Sequence, residues 1–104
     1  MYGTVARIQV KPGKEEAARA VHEEWPREHQ PQATGFIASY VLKSERVPGE
    51  WLVLSIFDSE DNYRKNAADP EQHRQYEAMR ALLERDPEWN DGEIVAIEPA
   101  SVPV

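Results

Sequence analysis

At 104 residues the chain is about one domain long, which excludes a two-lobed enzyme with its cleft between domains. Its formal net charge of −7 opposes phosphate backbones and anionic lipid surfaces, so neither nucleic acid nor membrane is expected as a partner. With no cysteine there is no disulfide framework, thiol nucleophile or thiolate metal site, while three tryptophans, four tyrosines and two phenylalanines are too many for a disordered chain.

From Tyr2 to Lys11, Tyr2, Thr4, Ala6, Ile8 and Val10 alternate with wetter positions, the period of a strand with one drier face. Pro12-Gly13 ends it. Lys14 to Trp25 then spaces Ala17, Ala18, Val21 and Trp25 as a helix, and Pro26 is the expected stop. After a polar loop with His29, a second strand is expected over Gly35 to Lys43 and a third over Trp51 to Phe57, joined by a hairpin through Pro48-Gly49. Ser59 is placed to cap a helix that turns Tyr63 and Ala67 inward. Asp69-Pro70-Glu71-Gln72 starts a second helical segment, with Tyr76, Met79, Leu82 and Leu83 as its apolar stripe. Asn90-Asp91-Gly92 reads as a turn, and Glu93 to Glu98 as a fourth strand. No apolar run approaches the ~20 residues of a bilayer span and no basic-then-apolar leader is present, so a cytoplasmic protein is expected.

This order is β-α-β-β-α-β, the α+β, ferredoxin-like arrangement of a four-stranded antiparallel sheet with its helices on one face. Residues 1–98 are expected to form the single domain and 99–104 a tail. The third strand is apolar on both sides, Leu52, Leu54 and Ile56 alternating with Trp51, Val53 and Phe57. Helices cover only one face of such a sheet, so the other is expected to pack against the sheet of a second copy.

Ala6-Arg7-Ile8-Gln9-Val10-Lys11-Pro12-Gly13-Lys14, Gly35-Phe36, Leu52 to Ser59 running into Asn62-Tyr63, and Ala68-Asp69-Pro70 together resemble the antibiotic-biosynthesis-monooxygenase family, whose members are also described as dimeric α+β-barrel proteins. The resemblance runs through Glu98. It implies a homodimeric barrel and one of several activities, among them cofactor-independent oxygenation of aromatic molecules, haem degradation and isomerisation. Where haem-degrading members carry a tryptophan and a haem-ligating histidine, this chain has Asn66 and Tyr76, so haem is not expected. Where the family's third strand often carries glutamate and tryptophan, Ser55 and Phe57 stand here, and no general acid carries over.

Among candidates for chemistry, His73 lies three residues before Tyr76 and is the expected general base, since a neutral imidazole near physiological pH can accept a phenolic proton. Tyr63, Asn66, Tyr76, Arg7 and His22 are the expected substrate-binding residues, the first three hydrogen-bonding a quinone or phenol and Arg7 clamping an acid or bridging subunits. Trp89 is expected to anchor a loop. No HxxxH or HExxH spacing, calcium-loop pattern or glycine-rich phosphate loop occurs, so neither metal nor nucleotide cofactor is expected. Two readings follow: a cofactor-independent monooxygenase-like protein acting on a small aromatic or quinone-type molecule, or a non-catalytic homodimeric module that binds a small molecule or serves a structural role.

Overall fold

The computed structural model describes residues 1–28 and 34–98 and, within these, no side chain from 25 to 28. His29 with its loop, the tail from Pro99 and the inward face expected of Trp25 lie outside the described residues. The elements are β1 (Tyr2–Gln9), α1 (Glu15–Glu28), β2 (Phe36–Lys43), β3 (Glu50–Phe57), α2 (Glu60–Ala67), α3 (Pro70–Arg80) and β4 (Glu88–Glu93). The strands form one antiparallel sheet in the order β2-β3-β1-β4. The fold is therefore ferredoxin-like α+β, with the second helical segment divided into α2 and α3. No helix among the described residues is long and apolar enough to cross a membrane.

Local chemistry explains where the helices start. Ser59 caps α2 by accepting from the Asn62 amide at 3.2 Å, and Asp69 caps α3 by accepting from the Glu71 amide at 2.8 Å, with Pro70 in the first turn where its missing amide costs nothing. α1 differs from the expectation: it continues past Pro26 to Glu28 instead of stopping at the proline. A proline removes one helical donor but leaves the neighbouring rungs intact, so flanking turns can carry the helix through.

β1 is central and sets the faces. Thr4, Ala6, Ile8 and Val10 are buried beneath the helices, while Val5 and Arg7 point to the opposite side. Pairing of Ala6 with Val53 and Ile8 with Trp51 assigns the Trp51, Val53 and Phe57 row to the helix side and Leu52 and Leu54 to the outer face. The core gathers Ile8, Val10, Ala18, Trp51, Met79 and Leu83. Leu83 lies beyond α3, which ends at Arg80, and is fixed by a bridge to Val10 and by the Lys11 amide donating to Leu82 O at 2.9 Å. Ala17, expected inward, is exposed.

The fourth strand corrects the sequence reading. It spans Glu88–Glu93, so Asn90-Asp91-Gly92 is strand and not turn, and Trp89 stands on the strand and not in a loop. The Glu84 amide donates to Gln9 O at 2.9 Å, which delivers the chain to the end of β1, and β4 then runs backwards along it from Arg7 to Tyr2. β4 ends at Glu93, opposite Tyr2, although the Ile94 amide still donates to Met1 O at 2.9 Å; Val95 is 91% exposed.

Gly3 and Gly92 face each other across β1 and β4, yet only one must be glycine. A Cβ at Gly3 would lie 2.4 Å from the Ser55 carbonyl oxygen, a backbone atom that cannot step aside, whereas one at Gly92 meets nothing within 4 Å. Urea denaturation should find Gly3→Ala destabilised by ~1–3 kcal/mol as an overpacked site. Gly92→Ala should be neutral or gain up to ~1 kcal/mol through a less flexible unfolded chain.

Candidate functional site

A cavity of about 190 Å³ lies between the sheet and the helices, adjoining the core through Ile8, Val21 and Met79. Its floor follows from strand register. Ser39 pairs with Ser55 and Ser55 with Thr4, so three hydroxyl side chains form one row across β2, β3 and β1 and all three line the cavity. The adjacent row, Val53 and Ala6, is apolar and leads to Trp89 on β4.

The walls come from the helices. On α2, Tyr63 and Asn66 are one turn apart and both reach the cavity. The Tyr63 ring packs 5.7 Å from Phe57, edge to face, and 5.3 Å from Tyr2. Its hydroxyl donates to Asp91 Oδ1 at 3.0 Å. Burial, then the bond to Asp91 and its negative charge, push the Tyr63 hydroxyl up to about 12, so it stays protonated and serves as a fixed donor. Arg64, beside it, stacks over both Tyr2 and Tyr63 at 5.5 and 5.3 Å and pairs with Asp91 at 3.4 Å and Glu60 at 3.5 Å.

On α3, Gln72, Gln75, Tyr76 and Met79 line the cavity, the i, i+3, i+4, i+7 stripe of one helix face. His73 is off that face. Its side chain is 67% exposed, its Nε2 lies 2.8 Å from Glu77 Oε1, and its ring stacks on Tyr76 at 6.3 Å. Tyr76 sits at the edge of the inward stripe, and a helix turns about 100° per residue, so a neighbour of Tyr76 on its far side faces water.

α1 supplies His22, which lines the cavity with its ring 6.1 Å from Trp51. Its Nε2 is buried and meets no hydrogen-bond partner among the described residues. Burial lowers the His22 imidazole below its ordinary 6.5, which keeps it neutral at pH 7. Of the residues singled out from the sequence, Tyr63, Asn66, Tyr76 and His22 thus meet around one space. Arg7 does not join them: it lies on the outer face, 3.6 Å from Glu50 and 3.9 Å from Glu88. Gln72, Gln75, Thr4 and Trp89 were not among the expected site residues. The first two were legible in the four-residue spacing to Tyr76 and Met79; the others depend on strand pairing.

A base whose folded-state value is depressed binds protons more readily when unfolded, so its burial contributes stability that is whole above about pH 6.5 and is lost as pH falls through the lower folded-state value. The melting temperature should therefore fall between pH 7 and pH 5 more steeply in the parent protein than in a His22→Gln variant. Equal slopes would show that the imidazole is not held in its neutral form.

The sequence matches the family model described as antibiotic biosynthesis monooxygenase over residues 1–85. No curated protein matches it. Among solved structures, the fold is similar to a protein proposed to be an antibiotic biosynthesis monooxygenase from Caulobacter crescentus CB15, with a TM-score of 0.80 and 20% identity, covering 93% of this chain and 90% of that one. A variant of SnoaB, a cofactor-independent oxygenase from Streptomyces nogalater, superposes with a TM-score of 0.79 at 18% identity, over 95% and 97% of the two chains. A conserved protein from Methanosarcina mazei Go1 gives 0.78 at 19% identity, over 88% and 89%. With the family model matching well over half of its length and the fold agreeing throughout, the chain belongs to the antibiotic biosynthesis monooxygenase family.

Proposed function

We propose that this chain is a cofactor-independent monooxygenase, an oxidoreductase of the cytoplasm acting on a small hydroxylated aromatic or quinol, with His22 as the base. The observation that carries this reading is a buried, neutral imidazole nitrogen, without a hydrogen-bond partner among the described residues, in the wall of an aromatic-lined cavity. The solved cofactor-independent oxygenase of the same fold supports it.

The chemistry asks little of the protein. His22 Nε2 accepts the proton of a substrate hydroxyl, and the electron-rich anion left behind reduces dioxygen, forming a bond between one oxygen atom and a ring C–H carbon. The imidazolium returns its proton to the outer peroxide oxygen. Loss of water from H–C–O–OH then leaves C=O, so that quinol and dioxygen become hydroxyquinone and water: the ring loses four electrons and dioxygen takes up four. Tyr76, Phe57 and Trp89 hold the ring and exclude water, and Asn66 can hydrogen-bond the developing oxyanion.

The same reading places a second copy of the chain on the outer face of the sheet. Val5, Leu54 and Tyr40 form one row across three strands, and Tyr40 and Leu42 are 62% and 60% exposed. An apolar face of this kind needs cover, and a sheet-to-sheet homodimer supplies it.

With a quinol substrate in air, His22→Gln should lower kcat/KM by roughly 10² or more, while His73→Gln should leave it unchanged. Labelled dioxygen should deliver one atom to product and one to water. Saturable binding without oxygen uptake would instead favour the binding-module reading. For assembly, sedimentation should find the parent protein dimeric at micromolar concentration, with a melting temperature that rises with concentration. Leu54→Glu should dissociate it and largely unfold it; a stable, folded parent monomer would rule the dimer out.

A further inference from the structure

Three polar atoms in the cavity wall are buried without a hydrogen bond of good geometry among the described residues, Thr4 Oγ1, His22 Nε2 and Gln72 Oε1, of which Thr4 alone lies close enough to the Tyr63 hydroxyl to act on it. They come from β1, α1 and α3, three elements far apart in sequence, yet they share one space. Buried polar atoms are normally satisfied, and a group of them around a cavity is the imprint of something that fills it. The three are not equivalent. A hydroxyl both donates and accepts, and a neutral imidazole nitrogen does one or the other according to its tautomer, but an amide oxygen can only accept. Gln72 therefore demands a donor from whatever occupies the site.

The neighbouring glutamine on the same helix face is already engaged, since Gln75 Nε2 donates to the Val21 carbonyl at 3.4 Å. That bond ties α3 to α1 at the residue next to His22, so the part of the roof carrying Gln72 and His22 is braced. Size sets the other limit. A cavity of about 150 Å³ is enough to take up benzene. The present 190 Å³ accommodates one substituted ring and leaves no room to bury three fused ones.

We infer that Gln72 is a specificity-determining residue and that the cavity takes a single-ring phenol, one hydroxyl of which donates to Gln72 Oε1, while a second hydroxyl, where the ring carries one, meets His22 and Thr4. This rests on the reading of the cavity as an aromatic site but not on the oxygen chemistry proposed for it. The amide oxygen selects for a hydroxyl over an ether of the same shape, and the volume selects against extended ring systems.

Titration calorimetry on the intact protein under nitrogen, with phenol, anisole and 2-anthrol as probes, tests it. Phenol should bind at least about tenfold more tightly than anisole, the loss expected when a buried acceptor is left without its donor, and 2-anthrol should fail to compete with phenol. Gln72→Met, nearly the same shape without the acceptor, should bring phenol and anisole to within about twofold of each other. Gln72→Glu, which keeps an accepting oxygen, should retain the preference. Should Gln72→Met melt early, Gln72→Leu provides the same comparison. Equal affinities for phenol and anisole in the parent protein, a preference that survives loss of the amide, competition by 2-anthrol, or no binding of any probe would each overturn the inference. Phenol-selective binding that depends on Gln72, with no oxygen uptake when quinol is supplied in air, would sink the monooxygenase reading and leave this one standing.

Discussion

The sizes of the side chains that β1 sends towards the helices decide where the core ends and the cavity begins. At Ile8 and Val10 they are large, and with Trp51 on β3 and Leu83 after α3 they fill the space under the helices. At Ala6 and Thr4 they are small, and their partners across β3, Val53 and Ser55, are small too. Close packing at one end of the sheet and a gap nearer the other follow from one strand paired on both edges. Because β1 is held between β3 and β4, the gap cannot close by sliding a strand: a shift of one residue would send the buried row to the outer face.

Burial then acts differently on each polar group around that gap. The Tyr63 hydroxyl is partly withdrawn from water but finds Asp91, and Asp91 is in turn held by Arg64, so these groups are satisfied. His22 leaves water and finds no partner for Nε2 among the described residues, and its response is to favour the neutral form. His73, a few residues away on α3 from the cavity-lining Gln75 and Tyr76, keeps its water and pairs with Glu77 one turn on. Two histidines of the same intrinsic chemistry thus differ because one helix face is dry and another is not.

The two faces of the sheet divide the labour. The helix side carries the cavity, while the outer side carries Val5, Leu52, Leu54 and Tyr40 with Arg7 between Glu50 and Glu88. Arg7 is a surface ion-pair residue in the single chain, and such exposed pairs add little to stability on their own. In the proposed dimer, charges flanking an apolar row would limit how a second sheet could lie on it.

Much of the architecture was written in local signals. Period-two alternation from Tyr2 to Val10 marked the inward face of β1, Ser59 and Asp69 marked the starts of α2 and α3, and the two apolar rows of β3 marked a sheet with two faces to cover. These are readable because they depend on spacing within one element. The fourth strand was misplaced because Asn90-Asp91-Gly92 looks like a turn in isolation and becomes strand only where β1 offers it a partner. The cavity was half legible for the same reason. Tyr63, Asn66, Tyr76 and His22 were visible as inward-facing residues, but the hydroxyl row of Ser39, Ser55 and Thr4 exists only once three strands are in register. The choice between His22 and His73 belonged to the tertiary structure as well, since only packing decides which imidazole loses its water.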